Sequence, residues 1–182
     1  SGFTVANVFE PADGLSREDR IRYDTPSLFG FKLSTSHGHK NEGDEWDIAL
    51  RYAGEISGTK VAFVASYAED KTRLNNGIAL ANDANTNLLA TGIRTGNFEL
   101  FNASAGVLFP FGLSLMVAYA HKDYDQTHAR DGEVLFGKIG YQHKFIEAGN
   151  TCFALDLGQF ENMNAVTDLK VEGKSYGFSI VQ

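Results

Sequence analysis

The chain has 182 residues, of which 43% are hydrophobic and 21% are charged. This length allows one domain with a substantial core, and the composition excludes a disordered chain. The formal net charge of −7 argues against nucleic acid as a partner, because phosphate binding requires a basic surface. The single cysteine, Cys152, excludes an internal disulfide, and no apolar run approaches the roughly 20 residues of a membrane helix.

The composition and the residue pattern favour strands over helices. The chain contains 19 Gly, 14 Phe and 7 Tyr residues against one Trp, which suits sheets and tight turns. Apolar residues alternate with small or polar ones at a period of two, so each strand would present one apolar face. The alternation is clearest in residues 45–53 and in the two arms 101–109 and 113–120, which fold back on each other through Pro110, Phe111 and Gly112.

The alternation predicts ten strands, at residues 2–9, 18–25, 27–36, 45–53, 59–68, 103–109, 113–120, 133–144, 151–159 and 173–182. Pro26 ends the second strand because it cannot donate to a ladder. Residues 88–93 form either a short extra strand or an inward-folded segment. The polar connections near residues 10, 37, 69, 121 and 160 are the longer ones, and they alternate with short turns near residues 26, 54, 110 and 145. An up-and-down antiparallel sheet has this pattern of connections.

The predicted fold class is all-β, a transmembrane antiparallel up-and-down β-barrel. Outer-membrane barrels combine alternating segments of about 10 residues with short turns at one end and longer loops at the other. A soluble barrel such as a lipocalin-like carrier is the alternative, with its apolar side chains turned inward around a ligand. The membrane is favoured because Ala, Gly and Ser are frequent on the non-apolar faces. It is also favoured by the aromatic residues at strand ends, namely Tyr23, Trp46, Tyr52, Tyr67, Phe109, Tyr119 and Tyr141.

Residues 20–38 resemble the general porins of Gram-negative outer membranes. In that family, a strand ending in Tyr-Asp-x-Pro precedes a strand rich in Gly and Phe. Here Arg22-Tyr23-Asp24-Thr25-Pro26-Ser27 precedes Phe29-Gly30-Phe31. Residues 46–68 resemble the next hairpin of the family, and the motif-like part extends from Arg20 to Tyr67.

The resemblance implies a water-filled barrel of about sixteen strands in the bacterial outer membrane. Such barrels are usually homotrimers, contact outer-membrane lipids and lipopolysaccharide, and pass small polar solutes and ions by diffusion. Ten strands are too few for that barrel, the constriction-loop motif is not recognisable, and the chain ends on Val181 and Gln182 where the family ends on an aromatic residue. We therefore expect residues 1–182 to be a single barrel domain, incomplete at both ends, that corresponds to a middle-to-late portion of a longer porin. A complete ten-stranded barrel is the alternative.

If the apolar faces meet lipid, the opposite faces line the pore. The candidate pore-lining residues are Arg20, Arg22, Asp24, Lys32, Glu45, Asp47, Arg51, Lys60, Lys138 and Asp156. With Lys144 they comprise seven basic and four acidic side chains, and like charges in a narrow lumen set ion preference. This excess predicts a mild anion preference. The basic residues Arg20, Arg22 and Arg51 form a ladder, which either orients dipolar solutes or forms ion pairs that merely hydrate the wall.

No catalytic residue, metal ion or cofactor is expected. The sequence has no G-x-S-x-G, no H-E-x-x-H and no phosphate-binding glycine loop. His37 and His39 share a face but are too few for a metal site, which needs three or four ligands. An outer-membrane lipid hydrolase that uses His121 and His128 is a minor alternative.

Neither an aspartate cluster nor the single cysteine is predicted to form a chemical site. Asp123, Asp125 and Asp131 lack the spacing of a calcium-binding EF-hand. Cys152 alternates with the pore-lining set, and we expect it to be a small buried residue rather than a nucleophile.

Overall fold

A computed structural model describes residues 19–40, 43–72, 97–124, 130–147, 149–162, 170 and 172–181. Its strands are β1 (Arg20–Asp24), β2 (Phe31–Lys40), β3 (Gly43–Ile56), β4 (Thr59–Thr72), β5 (Phe98–Leu108), β6 (Leu113–Tyr124), β7 (Gly132–Ile146), β8 (Gly149–Glu161) and β9 (Glu172–Val181). They form one antiparallel up-and-down sheet whose spatial order follows the chain, with β1 and β9 as its two edges. The all-β prediction is confirmed, and the sheet is not closed within the described residues. None of the described residues belongs to a helix long and apolar enough to cross a membrane.

The register divides the side chains between two faces of the sheet. Residues opposed across antiparallel strands point to the same side, so rows of side chains cross the sheet. The side that we call the apolar face carries the row Phe31, Tyr52, Phe63, Ala105, Val117, Gly137, Leu157 and Tyr176. The other side, the polar face, carries the adjacent row Lys32, Arg51, Val64, Ser104, Ala118, Phe136, Gly158 and Ser175.

The two faces differ in exposure in the direction opposite to that of a soluble protein. On the apolar face Leu50 is 38% exposed and Leu155 is 55% exposed, whereas on the polar face Ser34 and Ser36 are buried. Extensive contacts between described strands join sequence neighbours only. Side chains converge on the concave side of a curved sheet, so this difference indicates that the sheet bends toward its polar face.

The prediction for residues 27–36 is wrong at its start, because β2 begins at Phe31. Residues 28–31 form a tight turn in which Leu28 and Phe31 exchange backbone hydrogen bonds of 2.9 and 2.8 Å. Phe29 and Gly30 at its centre both have positive φ, at 51° and 87°. Such turns suit the twist of the flanking strands. The predicted strand at residues 2–9 and the segment 88–93, predicted as a short strand or an inward-folded segment, lie outside the described residues, and the described part contains the other nine predicted strands.

The predicted polar loop at residues 37–44 is also wrong. Residues 37–40 belong to β2 and residues 43–44 to β3, with His39 opposite Asp44 in the register. Strands β4 and β6 likewise extend through residues 69–72 and 121–124. Polarity marks where the apolar face ends, whereas the backbone hydrogen bonds continue past that point. The other connections at this end, residues 73–97, 125–131 and 162–171, are longer than the opposite turns at 57–58, 109–112 and 147–148, as predicted.

Gly112 is required by the turn between β5 and β6. Its φ is 96°, its carbonyl accepts a 2.9 Å hydrogen bond from Gln142 N, and a Cβ there would collide with the Gln142 carbonyl oxygen. We expect Gly112→Ala to lower the free energy of unfolding by about 1–3 kcal/mol, measured by urea titration of the detergent-folded protein. Gly106→Ala is the control, because no heavy atom lies nearer than 3.6 Å to a Cβ there. Equal losses in both variants would contradict the role of the turn.

Candidate functional site

The register places all ten candidate residues on the polar face. Arg20, Arg22 and Asp24 are on β1, Lys32 is on β2, Glu45, Asp47 and Arg51 are on β3, Lys60 is on β4, Lys138 is on β7 and Asp156 is on β8. Lys32 lies opposite Arg51, and Lys138 lies opposite Asp156. The ten residues therefore share one surface but fall into separate groups on it.

The charges on β1 to β3 form a paired network. The Asp24 carboxylate lies 3.1 Å from Arg22 Nη2 and 3.6 Å from Lys32 Nζ. Arg20 Nη1 lies 3.6 Å from Asp47 Oδ2. Three of the basic side chains thus each lie within 4.0 Å of a carboxylate, and two of them, Arg22 and Lys32, share Asp24.

Two serines complete this network, and sequence reasoning did not single them out. The Ser36 hydroxyl donates to the Asp47 carboxylate, and Arg51 Nη1 donates to Ser34 Oγ over 2.6 Å. The only signal for them in the sequence is that they alternate in phase with Lys32. Which carboxylate or guanidinium each serine meets depends on the register with β3.

The remaining candidate charges are arranged differently. Among the described residues, Lys60, Lys138 and Asp156 have no ion-pair partner within 4.0 Å. Asp156 opposes Lys138, yet its carboxylate leans over Gly177 on β9, where an added Cβ would collide with it. Glu45 is only 1% exposed at the loop end of β3.

The polar face is uncharged over the middle of β4 to β6. The positions there are Ala62, Val64, Ser66 and Ala68 on β4, Asn102, Ser104 and Gly106 on β5, and Ser114, Met116, Ala118 and Ala120 on β6. Met116 is 44% exposed on this surface. The uncharged stretch separates the β1–β3 network from Lys138 and Asp156.

A sharp border limits the apolar face at the end with the longer connections. From β3 to β9 its outermost large apolar residues, which we call the outer border, are Trp46, Tyr67, Phe101, Tyr119, Leu135, Leu157 and Tyr176. Two positions further along each strand stand polar residues, namely Asp44, Glu69, Glu99, His121, Glu133, Gln159 and Lys174. Trp46 Nε1 donates to Glu69 over 2.6 Å and the Tyr119 hydroxyl donates to Glu133 over 3.1 Å. The rings thus face the apolar side and their polar atoms face the charged row.

The outer border runs obliquely to the strands. Trp46 lies opposite Glu69, Phe101 opposite His121 and Leu135 opposite Gln159, so the border moves two residues toward the short turns at each of these three strand pairs. At the alternate pairs it stays level. The shift is one residue per strand on average. The rise is about 3.4 Å per residue and the strand spacing is about 4.8 Å. The border is therefore perpendicular to a common axis, and level in that sense, only if the strands tilt by about 35° from that axis.

Aromatic rings also collect at the short-turn end of the apolar face. Phe31, Tyr52 and Phe63 form one group with centroid separations of 4.7 to 6.1 Å, and Phe145 lies 6.0 Å from Phe153. Phe109, immediately after the end of β5, is eight residues from Phe101 of the outer border. That separation is about 27 Å along the strand, or about 22 Å along an axis from which the strand tilts by about 35°.

The other potential chemical groups form no assembled centre in the described ranges. No group of three or more His, Cys, Asp or Glu residues there could hold a metal ion. His39 Nδ1 lies 2.6 Å from Asp44, and His121 Nδ1 lies 3.4 Å from Glu133. Asp125 and His128 lie outside the described residues. Cys152 is half-buried on the polar face, with its sulfur 3.8 Å from Gln142 Oε1.

Comparison with known proteins gives no family assignment. No protein-family model matches the sequence, and no curated protein matches it. The functional inference therefore rests on the geometry described above, and the porin resemblance remains an expectation.

The paired network makes a testable contribution to stability. Because its members are partly exposed, we expect Asp24→Asn to reduce the free energy of unfolding only slightly, but by more than Asp156→Asn does, measured by urea titration. Asp156→Asn is the matched control, since Asp156 has no ion-pair partner among the described residues. A larger loss at Asp156 than at Asp24 would contradict the assignment of these pairs.

Proposed function

We propose that this chain forms part of the wall of a porin-type transmembrane β-barrel in the bacterial outer membrane. The barrel conducts small hydrophilic solutes and ions by passive diffusion, with lipid on the apolar face and water on the polar face. The observation that carries the proposal is the exposed apolar face with aromatic residues at both ends, opposite a face that holds every candidate charge.

The slope of the outer border supports a membrane environment. Strands of outer-membrane barrels tilt by about 35–45° and carry an apolar band about 25 Å tall between aromatic girdles. The border of this sheet becomes level at about 35°, and the band on β5 is then about 22 Å tall. A sheet in water has no external plane with which such a border would need to align.

A soluble ligand-binding barrel accounts less well for the same faces. It would bury its apolar residues on the concave side and expose charged residues on the convex side. Here Leu115 and Leu155 are 41% and 55% exposed while Ser34 and Ser36 are buried. An apolar surface of this extent would promote aggregation in water.

The two sheet edges set a requirement on the complete barrel. In lipid, the backbone groups of β1 and β9 that pair with no other strand among the described residues need hydrogen-bond partners. The proposal therefore includes further strands between β1 and β9, up to the about sixteen implied by the porin resemblance. A homotrimer, and contacts with outer-membrane lipids and lipopolysaccharide, belong to the same proposal.

Conduction through such a barrel needs no chemical step. The lumen excludes solutes by size, and charges on its wall bias the ions that enter. No side chain acts as a catalyst in this mechanism, and no cofactor takes part. The basic excess of the candidate set favours a mild preference for anions.

Planar-bilayer recording of the detergent-purified full-length protein tests the pore directly. We expect stepwise, ohmic openings whose current rises with salt concentration. In a salt gradient, the reversal potential should show the anion preference. Well-folded protein that inserts without conducting would contradict the proposal.

Substitution on each face tests the orientation. Leu115, on the apolar face, lies near the middle of the band, and we expect Leu115→Arg to destabilise the inserted barrel by about 2–4 kcal/mol. Ser104→Arg on the polar face of the neighbouring strand is the control and should be tolerated, because that position faces water. Folding into lipid vesicles, followed by urea titration, measures both variants. Similar losses at the two positions would contradict the face assignment.

A further inference from the structure

Four side-chain positions form a row across the polar face from β5 to β8. Gly106, Met116, Lys138 and Asp156 lie opposite one another in the register. Met116 is 44% exposed, and Lys138 beside it is exposed. On the other side of Met116, Gly106 has no side chain to cover it, and a Cβ there would make only an ordinary contact of 3.6 Å with the Leu115 carbonyl oxygen. The exposed Met116 side chain thus lies between the bare backbone of Gly106 and the Lys138 position.

Lys138 differs from the basic residues on β1 and β2. Arg20, Arg22 and Lys32 each lie within 4.0 Å of a carboxylate, whereas Lys138 has no such partner among the described residues. The Asp156 carboxylate is turned toward Gly177 on the far side of β8. Lys138 can therefore interact with an incoming anion without first breaking an ion pair.

The row lies at nearly the same level of the proposed barrel as the paired network. The row through Arg22 reaches β7 at Gly132, which is six residues from Lys138. Asp47 of the paired network lies in this row on β3, and the outer border shifts by four residues from β3 to β7. Lys138 therefore lies about two residues from the level of Asp47, and a solute at that depth meets both surfaces.

We propose that Gly106, Met116 and Lys138 form a subsite for organic anions that carry an apolar group. The inference rests on the proposed pore and specifies its solute class. The anionic group lies near the Lys138 ammonium, while the apolar group covers the exposed Met116 side chain and the bare backbone of Gly106. Transferring apolar surface from water is favourable, and a half-exposed site gives the weak binding that conduction requires.

A matched pair of anions tests the subsite. Cyclohexanecarboxylate and quinate share one ring and one carboxylate, but quinate also carries hydroxyl groups. Reversal potentials of the full-length protein in planar bilayers, with the potassium salt of one anion on each side, give their permeability ratio. We expect a ratio of about threefold or more in favour of cyclohexanecarboxylate.

Three variants separate the two parts of the subsite. Met116→Gln keeps the side-chain length but should bring the ratio close to one, whereas Met116→Leu should preserve it. Lys138→Gln should lower the permeability of both anions relative to potassium and leave their ratio unchanged.

The possible failures are distinguishable. A conducting pore with a wild-type ratio near one, or equal effects of Met116→Leu and Met116→Gln, would overturn the subsite alone. Folded protein without conductance would overturn the pore and the subsite together.

Discussion

Continuous antiparallel pairing is the constraint on which the rest of this structure depends. Side chains alternate across each strand, so a slip of one residue between two strands would exchange their faces. The register runs from β1 to β9 with one irregularity, between His143 and Ile146 near a short turn. Because the irregularity lies at the end of β7, the central positions keep their faces. All the candidate charges consequently share one side of the sheet.

This division of faces suits two solvents. The apolar face ends abruptly, and at its edge the polar atoms of Trp46 and Tyr119 donate to Glu69 and Glu133. Amphipathic rings of this kind are stable where an apolar layer meets water. The oblique course of the border adds information that hydropathy lacks, because in the proposed barrel it sets the tilt of the strands.

The electrostatics of the polar face follow from positions rather than from a count of charges. On β1 to β3 Asp24 and Asp47 lie among the basic residues and offset part of their positive field. Lys138 adds more to the local field because Asp156 turns away from it. A count of the basic residues therefore does not show how unevenly the charge is distributed over the polar face.

Alternation and residues such as Gly112 are enough to predict the strand period, the face of each candidate residue and most of the tight turns. The predicted loop at residues 37–44 is wrong because polar side chains do not prevent backbone pairing. The sequence also leaves open whether the basic residues are paired. The folded sheet establishes that Asp24 meets Arg22 and Lys32, that Met116 lies opposite Lys138, and that the outer border is oblique. Each of these depends on the register between strands, which brings together residues whose separation along the chain carries no signal of contact.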